Sequence, residues 1–489
     1  MGIEVAKPLR LRRVTGRAIP LDKPVKPRQK VSVNALLGMG LWFLLWGGYN
    51  TDIGRVIDPG FPVDTMDFIH GVRAFFPMLA GWIALLLIIA RPNRLLSWMA
   101  GPLGLMLLYA VTGLASSATL SPDPTFALYY GANYLAIVLV LLAIVQVDDP
   151  LPDLRHVLTL TWIIGTILTL SLLGAIPLLG GAVIIPTEGS IQNERAYGGS
   201  VGTVMGMVST RNTGFARYAA MSALVAFPGF MRKGKLRYRI IWGILFLASM
   251  YALIIANGRT EIAAFAVSMI VILGTEKAKR TINFLIGAAA AILLGLRGFY
   301  SAFFKYFTRT GHIDRTVITM SGRVQTWVEA WHILWNSPWV GLGFQADRFF
   351  LGGMHMHDAF LHVVFQSGFL GGGAILIGLA IVWYYMIKYF FLRQPPDKSL
   401  IPPEIPAIFL FVMISSFAES TFAYFSAAWL LSAPIVAYVM ALHRHMRRIA
   451  VRSAQERALR GRLARRKSRG LDPLPNLSPP PQKESSPVE

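Results

Sequence analysis

The chain has 489 residues, 54% of them hydrophobic and only 15% charged, with a mean hydropathy of +0.52, which excludes an ordinary water-soluble globular enzyme. A net charge of +22 would suit a nucleic-acid binder, but the excess lies in the two tails and in short loops between apolar runs, so it reads as membrane topology. The chain contains no cysteine, which removes disulfides, thiolate catalysis and Cys-ligated metal.

Residues 1–30 form a basic tail carrying Lys7, Arg10, Arg12, Arg13, Arg17, Lys23, Lys26, Arg28 and Lys30. The apolar run that follows has no small-residue cleavage site after it, and it is expected to remain as a signal anchor with the tail in the cytoplasm. Later runs, such as Ala74–Ala90 and Leu236–Ala256, have the roughly 20-residue length a helix needs to cross about 30 Å of hydrocarbon. Their hydrophobicity is continuous, without the period-two alternation of a barrel strand. The predicted fold is therefore an all-α integral membrane protein with about 12 transmembrane helices, the first nine within 31–297 and the last three within 358–443.

Loop charges agree with that count. Arg91 and Arg94, Arg155, the run from Arg232 to Arg239, the group Lys277, Lys279 and Arg280, and the group Lys388, Arg393 and Lys398 all fall in loops expected on the cytoplasmic side. The tail 444–489, basic and then rich in Pro and Ser, falls there too, and its arginines suit contact with anionic lipid. The opposite face receives two long segments, 180–213 and 298–357. The second, before the tenth span, contains Arg323, Trp327, Trp331 and Trp335 at four-residue spacing, which predicts one face of a helix lying along the membrane interface and ended by Ser337 and Pro338.

Arginines on this external face run against the positive-inside bias: Arg195, Arg211, Arg217, Arg259, Arg297, Arg309, Arg315 and Arg323. A guanidinium is a planar, permanently charged fork that matches phosphate oxygens, so converging arginines would hold a diphosphate without a metal. An arginine at a helix end can equally be snorkelling to the interface. Arg211, Arg259 and Arg323 stand out because each adjoins an apolar span or the Trp-striped helix.

His357, at the point where the chain re-enters an apolar run, is the candidate general base, against the alternative of a satisfied interfacial histidine. A metal bound by His355, His357 and Asp358 is set aside because no further His or Cys cluster is evident in the sequence. Trp327 and its neighbours could anchor the interface or stack on sugars. Glu419, flanked by apolar residues, could face substrate or pair with an arginine. No cofactor is expected.

The stretch Ser321-Gly322-Arg323, Trp327, Pro338-Trp339-Val340-Gly341-Leu342-Gly343, His357-Asp358-Ala359-Phe360-Leu361 and Gln366-Ser367-Gly368-Phe369-Leu370-Gly371 resembles the signature region of the O-antigen ligase and polysaccharide polymerase superfamily. Arg211-Asn212-Thr213-Gly214 and Asn257-Gly258-Arg259-Thr260 resemble its two earlier motifs. Asp358 stands where the family usually has Asn, and Gln366 where it often has Glu.

The resemblance implies a glycosyltransferase of the bacterial inner membrane that uses undecaprenyl-diphosphate-linked oligosaccharide at the periplasmic face. Arg211, Arg259 and Arg323 would stabilise the leaving diphosphate and His357 would activate the acceptor hydroxyl. Asp358, Asn212, Arg217, Trp327 and Glu419 would contact substrate. The implied partners are that lipid-linked donor, membrane lipid, and a chain-length regulator and flippase of the same pathway. The leading expectation is a polymerase that transfers the growing glycan onto a lipid-linked repeat unit, the nearest rival is a ligase that moves finished polysaccharide onto lipid A core or a protein, and a transporter or flippase of lipid-linked oligosaccharide is the alternative of another class.

Overall fold

The computed structural model describes residues 32–49, 65–91, 95–179, 184–185, 203–204, 212–232, 234–256, 258–274, 323–392, 397 and 400–468. In chain order the helices are α1 (Val33–Gly47), α2 (Thr65–Ala74), α3 (Phe76–Ala90), α4 (Leu95–Met99), α5 (Pro102–Thr119), α6 (Pro124–Ile144), α7 (Pro150–Leu179), α8 (Asn212–Met231), α9 (Leu236–Ile255), α10 (Arg259–Leu273), α11 (Arg323–Leu334), α12 (Ala346–Phe350), α13 (Ala359–Met386), α14 (Glu404–Ser415) and α15 (Ala427–Ser468). The remaining regular structure among the described residues is one antiparallel pair of two-residue strands, Ile184–Ile185 against Thr203–Val204, and a π-helical turn, Ile387–Leu392, that continues α13.

The all-α membrane fold read from the sequence is the fold observed. Seven helical segments among the described residues are long and apolar enough to cross a bilayer: Gly71–Ala90, Pro102–Thr119, Pro124–Ile144, Pro150–Gly174, Leu236–Ile255, Ala359–Leu392 and Ala427–Leu459. Val33–Gly47 and Glu404–Ser415 are apolar but shorter. The expected count of about twelve also draws on residues 275–297, which lie outside the described residues.

Helix starts follow ordinary capping chemistry. Ser32 accepts from the Ala35 amide at 2.9 Å and Asp123 from the Phe126 amide at 3.0 Å, while Pro102 and Pro124 open α5 and α6, where a missing N–H costs nothing. On α9, Ile240, Ile244, Leu247, Tyr251 and Ile254 are exposed and recur at alternating four- and three-residue steps. That stripe is the lipid-facing side of a helix whose other face buries Ser249, Ala252 and Leu253.

The two ends of the bundle differ in charge chemistry. Arg232, past the end of α8, pairs with Glu404 at the start of α14 at 2.7 Å, and Arg444 on α15 lies over the Trp98 ring. A cavity of about 610 Å³ on that same end is lined by Ser32, Arg91, Asp148, Asp153 and His156. Arg217, 15 residues ahead of Arg232, sits about 22 Å away along the α8 axis, at the other end.

One structural device at that other end uses most of the glycine motif. Helix α13 breaks at Ser367 (φ −126°, ψ 15°) and Gly368 (φ 61°, ψ −170°), freeing backbone groups that a continuous helix would pair internally. The loop 338–343 takes four of them. Leu342 donates to the Phe365 carbonyl at 3.0 Å and Gly343 to that of Gln366 at 2.9 Å; Phe369 donates to the Pro338 carbonyl at 2.8 Å and Leu370 to that of Trp339 at 3.1 Å.

The two backbones approach so closely that a Cβ on Gly368 would lie 2.2 Å from the Trp339 carbonyl carbon, and one on Gly341 (φ 72°) 2.4 Å from the Gly368 nitrogen. Phe344 then plugs the groove between α5 and α6 at Gly113 and Gly131 and is fully buried. Gly368→Ala combines left-handed backbone strain with overpacking, so a loss on the order of 3 kcal/mol is expected, read as a lowered thermal midpoint of the purified protein. Gly373→Ala, with open space at its Cβ, is the control and should leave the midpoint within about 1 kcal/mol equivalent.

Candidate active site

The starts of α8, α10 and α13 and the segment following α14 converge at one end of the bundle. Gly258 lets α10 start hard against α8: a Cβ there would meet the Ala216 Cβ at 2.6 Å and Glu261 Oε2 at 2.8 Å. This approach brings Glu261, in the first turn of α10, to 3.3 Å from Arg217 Nε. The other side of the same guanidinium lies 3.0 Å from Glu419 Oε2. Arg217 and Glu419 keep only 11% and 12% of their side-chain surface and Glu261 1%, so one cation is bracketed by two carboxylates away from water.

Glu419 has a second partner. The Nδ1 of His357 lies 3.4 Å from the same oxygen, Oε2. Burial pushes the Glu419 carboxyl upward, but the Arg217 charge, the His357 hydrogen bond and the Arg323 charge outweigh it and hold the group at about 2. Glu419 is therefore ionised across the physiological range and can only accept. A neutral His357 donating Nδ1–H to it leaves Nε2 with its lone pair free, which is the arrangement a general base requires.

The backbone around His357 is fixed on both sides. His357 occupies left-handed backbone (φ 50°), a conformation costing on the order of 1 kcal/mol or more for a non-glycine residue. Before it, the Met356 carbonyl accepts from Trp327 Nε1 at 2.7 Å and the Met356 amide donates to Asp347 at 3.2 Å. After it, Asp358 caps α13 by accepting from the Leu361 amide at 2.6 Å, and the Ala359 amide donates to the Ser416 carbonyl at 2.8 Å. Arg323, first residue of α11, donates to the Ala418 carbonyl at 2.9 Å and so holds the strand of chain that presents Glu419.

Among the residues singled out from the sequence, the structure thus brings together His357, Glu419, Arg217 and Arg323. Arg259 is half-buried as the opening residue of α10, two positions ahead of Glu261. Trp327 contacts the loop backbone instead of standing clear, whereas Trp331, Trp335 and Trp339 are exposed and cluster around the Phe369 ring at centroid distances of 6.2 to 6.3 Å. Asp358 is engaged as a helix cap, a role Asn fills equally well, which gives a physical account of the Asn-to-Asp departure. Arg211, and the side chain of Asn212, lie outside the described residues, as do Arg195, Arg297, Arg309 and Arg315.

Three residues near the site were not singled out from the sequence. Glu261 is an acid inside an apolar helix and could have been found by the reasoning applied to Glu419. Asp347 and His362 had no such signal. Asp347 Oδ2 takes a 2.6 Å hydrogen bond from His355 Nδ1, and Oδ1 lies 3.3 Å from His362 Nε2. Burial pushes His355 down to about 4, so it is neutral at physiological pH and donates its Nδ1–H to that carboxylate. Its ring packs edge-on against His357 at 4.7 Å between centroids.

Residues 244–376 match the family model described as O-Antigen ligase, an interval that contains Arg259, Arg323, Trp327, His357 and the loop-to-helix zipper. Comparison with curated proteins gives no match. The interval that is similar to this family is also the one in which backbone geometry sets the position of His357.

Proposed function

We propose that this protein is a glycosyltransferase that transfers a growing glycan from undecaprenyl diphosphate onto a lipid-linked repeat unit at the periplasmic face of a bacterial inner membrane. The observation that carries the reading is the His357–Glu419 pair at 3.4 Å, flanked by Arg217 and Arg323 at the end of the bundle opposite the Arg232–Glu404 pair. The described basic residues at that opposite end, Arg91, Arg232 and Arg444 among them, support a cytoplasmic orientation for it, with the site on the outer side.

In the reaction the acceptor hydroxyl attacks the anomeric carbon as the bond to the diphosphate oxygen breaks. Nε2 of His357 takes the hydroxyl proton, and the configuration at the anomeric carbon inverts. A diphosphate is a good leaving group that needs its charge stabilised more than it needs an acid, and Arg323, Arg259 and Arg211 are the cations assigned to it. No metal is required for that step. Arg217 is assigned to holding Glu419, and through it the tautomer of His357. Embedding the site in the membrane lets the polyprenyl chain stay in lipid throughout, and a chain-length regulator and a flippase would act before and beside it.

A ligase that moves finished polysaccharide onto lipid A core or protein is the second reading, since the same base and arginines would serve either acceptor. The test is to incubate purified full-length protein with an undecaprenyl-diphosphate-linked repeat unit alone. A ladder of lengthening lipid-linked products supports the polymerase. Transfer only when a lipid A core acceptor is added replaces it with the ligase. No transfer to either acceptor, with movement of the lipid-linked donor across proteoliposomes, rejects both in favour of a transporter.

A further inference from the structure

The strongest chemistry outside the proposed transfer site is the group behind His357. Asp347 and His362 are fully buried and His355 keeps 8% of its side-chain surface, and one ligand atom from each lies within 4.8 Å of the others. The three come from separate places: Asp347 from α12, His355 from the extended loop after it, and His362 from the first turn of α13. The sequence grouped His355 with its neighbours His357 and Asp358, but the fold turns those two toward Glu419 and the helix cap.

Hydrogen bonding within the group does not close. Asp347 Oδ2 accepts from His355 and from the Met356 amide, but Oδ1 has no hydrogen-bond partner although it is buried and faces His362 Nε2 at 3.3 Å. Gln366 explains why His362 does not supply one. As placed, the Tyr109 hydroxyl lies 2.6 Å from Gln366 Oε1 and 2.5 Å from the Ala423 carbonyl, and the Gln366 amide nitrogen lies 2.7 Å from His362 Nε2; with the amide in this orientation Nε2 accepts and points a lone pair at a carboxylate oxygen. Turning the amide over lets His362 donate to the Gln366 oxygen instead, and Asp347 Oδ1 is still left bare. Two lone-pair donors facing each other in a buried space are what a cation satisfies.

We propose that Asp347, His355 and His362 form a site for one divalent transition-metal ion. Two imidazoles and one carboxylate suit zinc-type ions, whereas magnesium and calcium take all-oxygen sets. Ligation through His355 Nδ1 uses the other neutral tautomer, with the ring proton moved to Nε2, so the hydrogen bond to Asp347 is exchanged for a bond to the metal. The ion ties α12, the loop and α13 together directly behind His357, so its role is to hold that loop, and the assignment is independent of the glycosyl-transfer reading.

The experiment uses the full-length protein in detergent micelles after treatment with a chelator, titrated with Zn²⁺ by calorimetry and with Co²⁺ by visible absorption. One equivalent of zinc is expected, with a cobalt spectrum showing the intense bands of a four- or five-coordinate site and a thermal midpoint raised by zinc. Asp347→Asn and His362→Gln should each weaken binding at least ~10-fold, and His332→Ala, at an exposed position on α11, should not. Absence of saturable binding at one equivalent overturns the proposal, and so does binding that both site variants leave unchanged. If either variant fails to fold, the wild-type cobalt spectrum decides: one identical to the hydrated ion's overturns the assignment.

Discussion

Replacing His357 with alanine is expected to lower glycosyl transfer by roughly 10²–10⁴-fold, the range for loss of a positioned general base. The side chain is 28% exposed and its polar contact is with Glu419, so its removal neither opens a cavity in the core nor strands a buried donor. Its backbone φ of 50° also relaxes little with alanine, because Met356 and Asp358 remain anchored on either side. The expected signature is therefore a fall in kcat with an unchanged thermal midpoint and unchanged binding of the lipid-linked donor. Wild-type turnover in His357→Ala removes the base from the mechanism.

The largest expected effect on stability belongs to Arg217. Its guanidinium is the shared partner of two buried carboxylates, 3.3 Å from Glu261 and 3.0 Å from Glu419, and a methionine of similar length would leave both without it. Breaking a buried ion pair in this one-sided way costs about 3–5 kcal/mol, because the stranded charges have been taken out of water. Arg217→Met should thus unfold at a markedly lower temperature in detergent. The triple variant Arg217→Met, Glu261→Gln, Glu419→Gln removes the charges together and should recover most of that loss, since a neutral buried set avoids the desolvation that a lone carboxylate suffers. It should not recover turnover, because the amide at position 419 no longer fixes the His357 tautomer electrostatically. Equal midpoints for the single and triple variants would show that Arg217 acts by some other route.

Much of this arrangement was legible in the sequence, for reasons that differ by residue. Membrane spans could be read because about 20 apolar residues in succession leave few alternatives, and the stripe at four-residue spacing from Arg323 to Trp335 became a helix that ends at Leu334, one residue short of its last tryptophan. Glu419 was visible as an acid among apolar residues, and its pairing with an arginine was one of two readings held open.

The partner could not be identified, because Arg217 and Glu419 are far apart in sequence and meet only when α8 and α14 pack. Asp358 read as a substrate contact because it follows His357, but its backbone, extended just before a helix, directs its carboxylate to the Leu361 amide. The Pro338–Gly343 and Gln366–Gly371 motifs carried the resemblance without showing their physical purpose. Only the break at Gly368 reveals that the two segments complete each other's hydrogen bonds.

That closure has an implication for how the protein can vary. Four main-chain hydrogen bonds join the stretch before Phe344 to the stretch after Phe365, so the intervening loop, with Asp347, His355, His357 and His362, begins and ends at the same seam. The cassette is short in contour and closed at its base, and Trp327 and Ser416 tie its interior to the rest of the fold. Insertions or deletions ahead of Arg323 can lengthen or trim the neighbouring surface without altering the spacing of those four side chains. Under the proposed glycosyl transfer, acceptor preference would be free to change outside this cassette while the chemistry stays fixed within it.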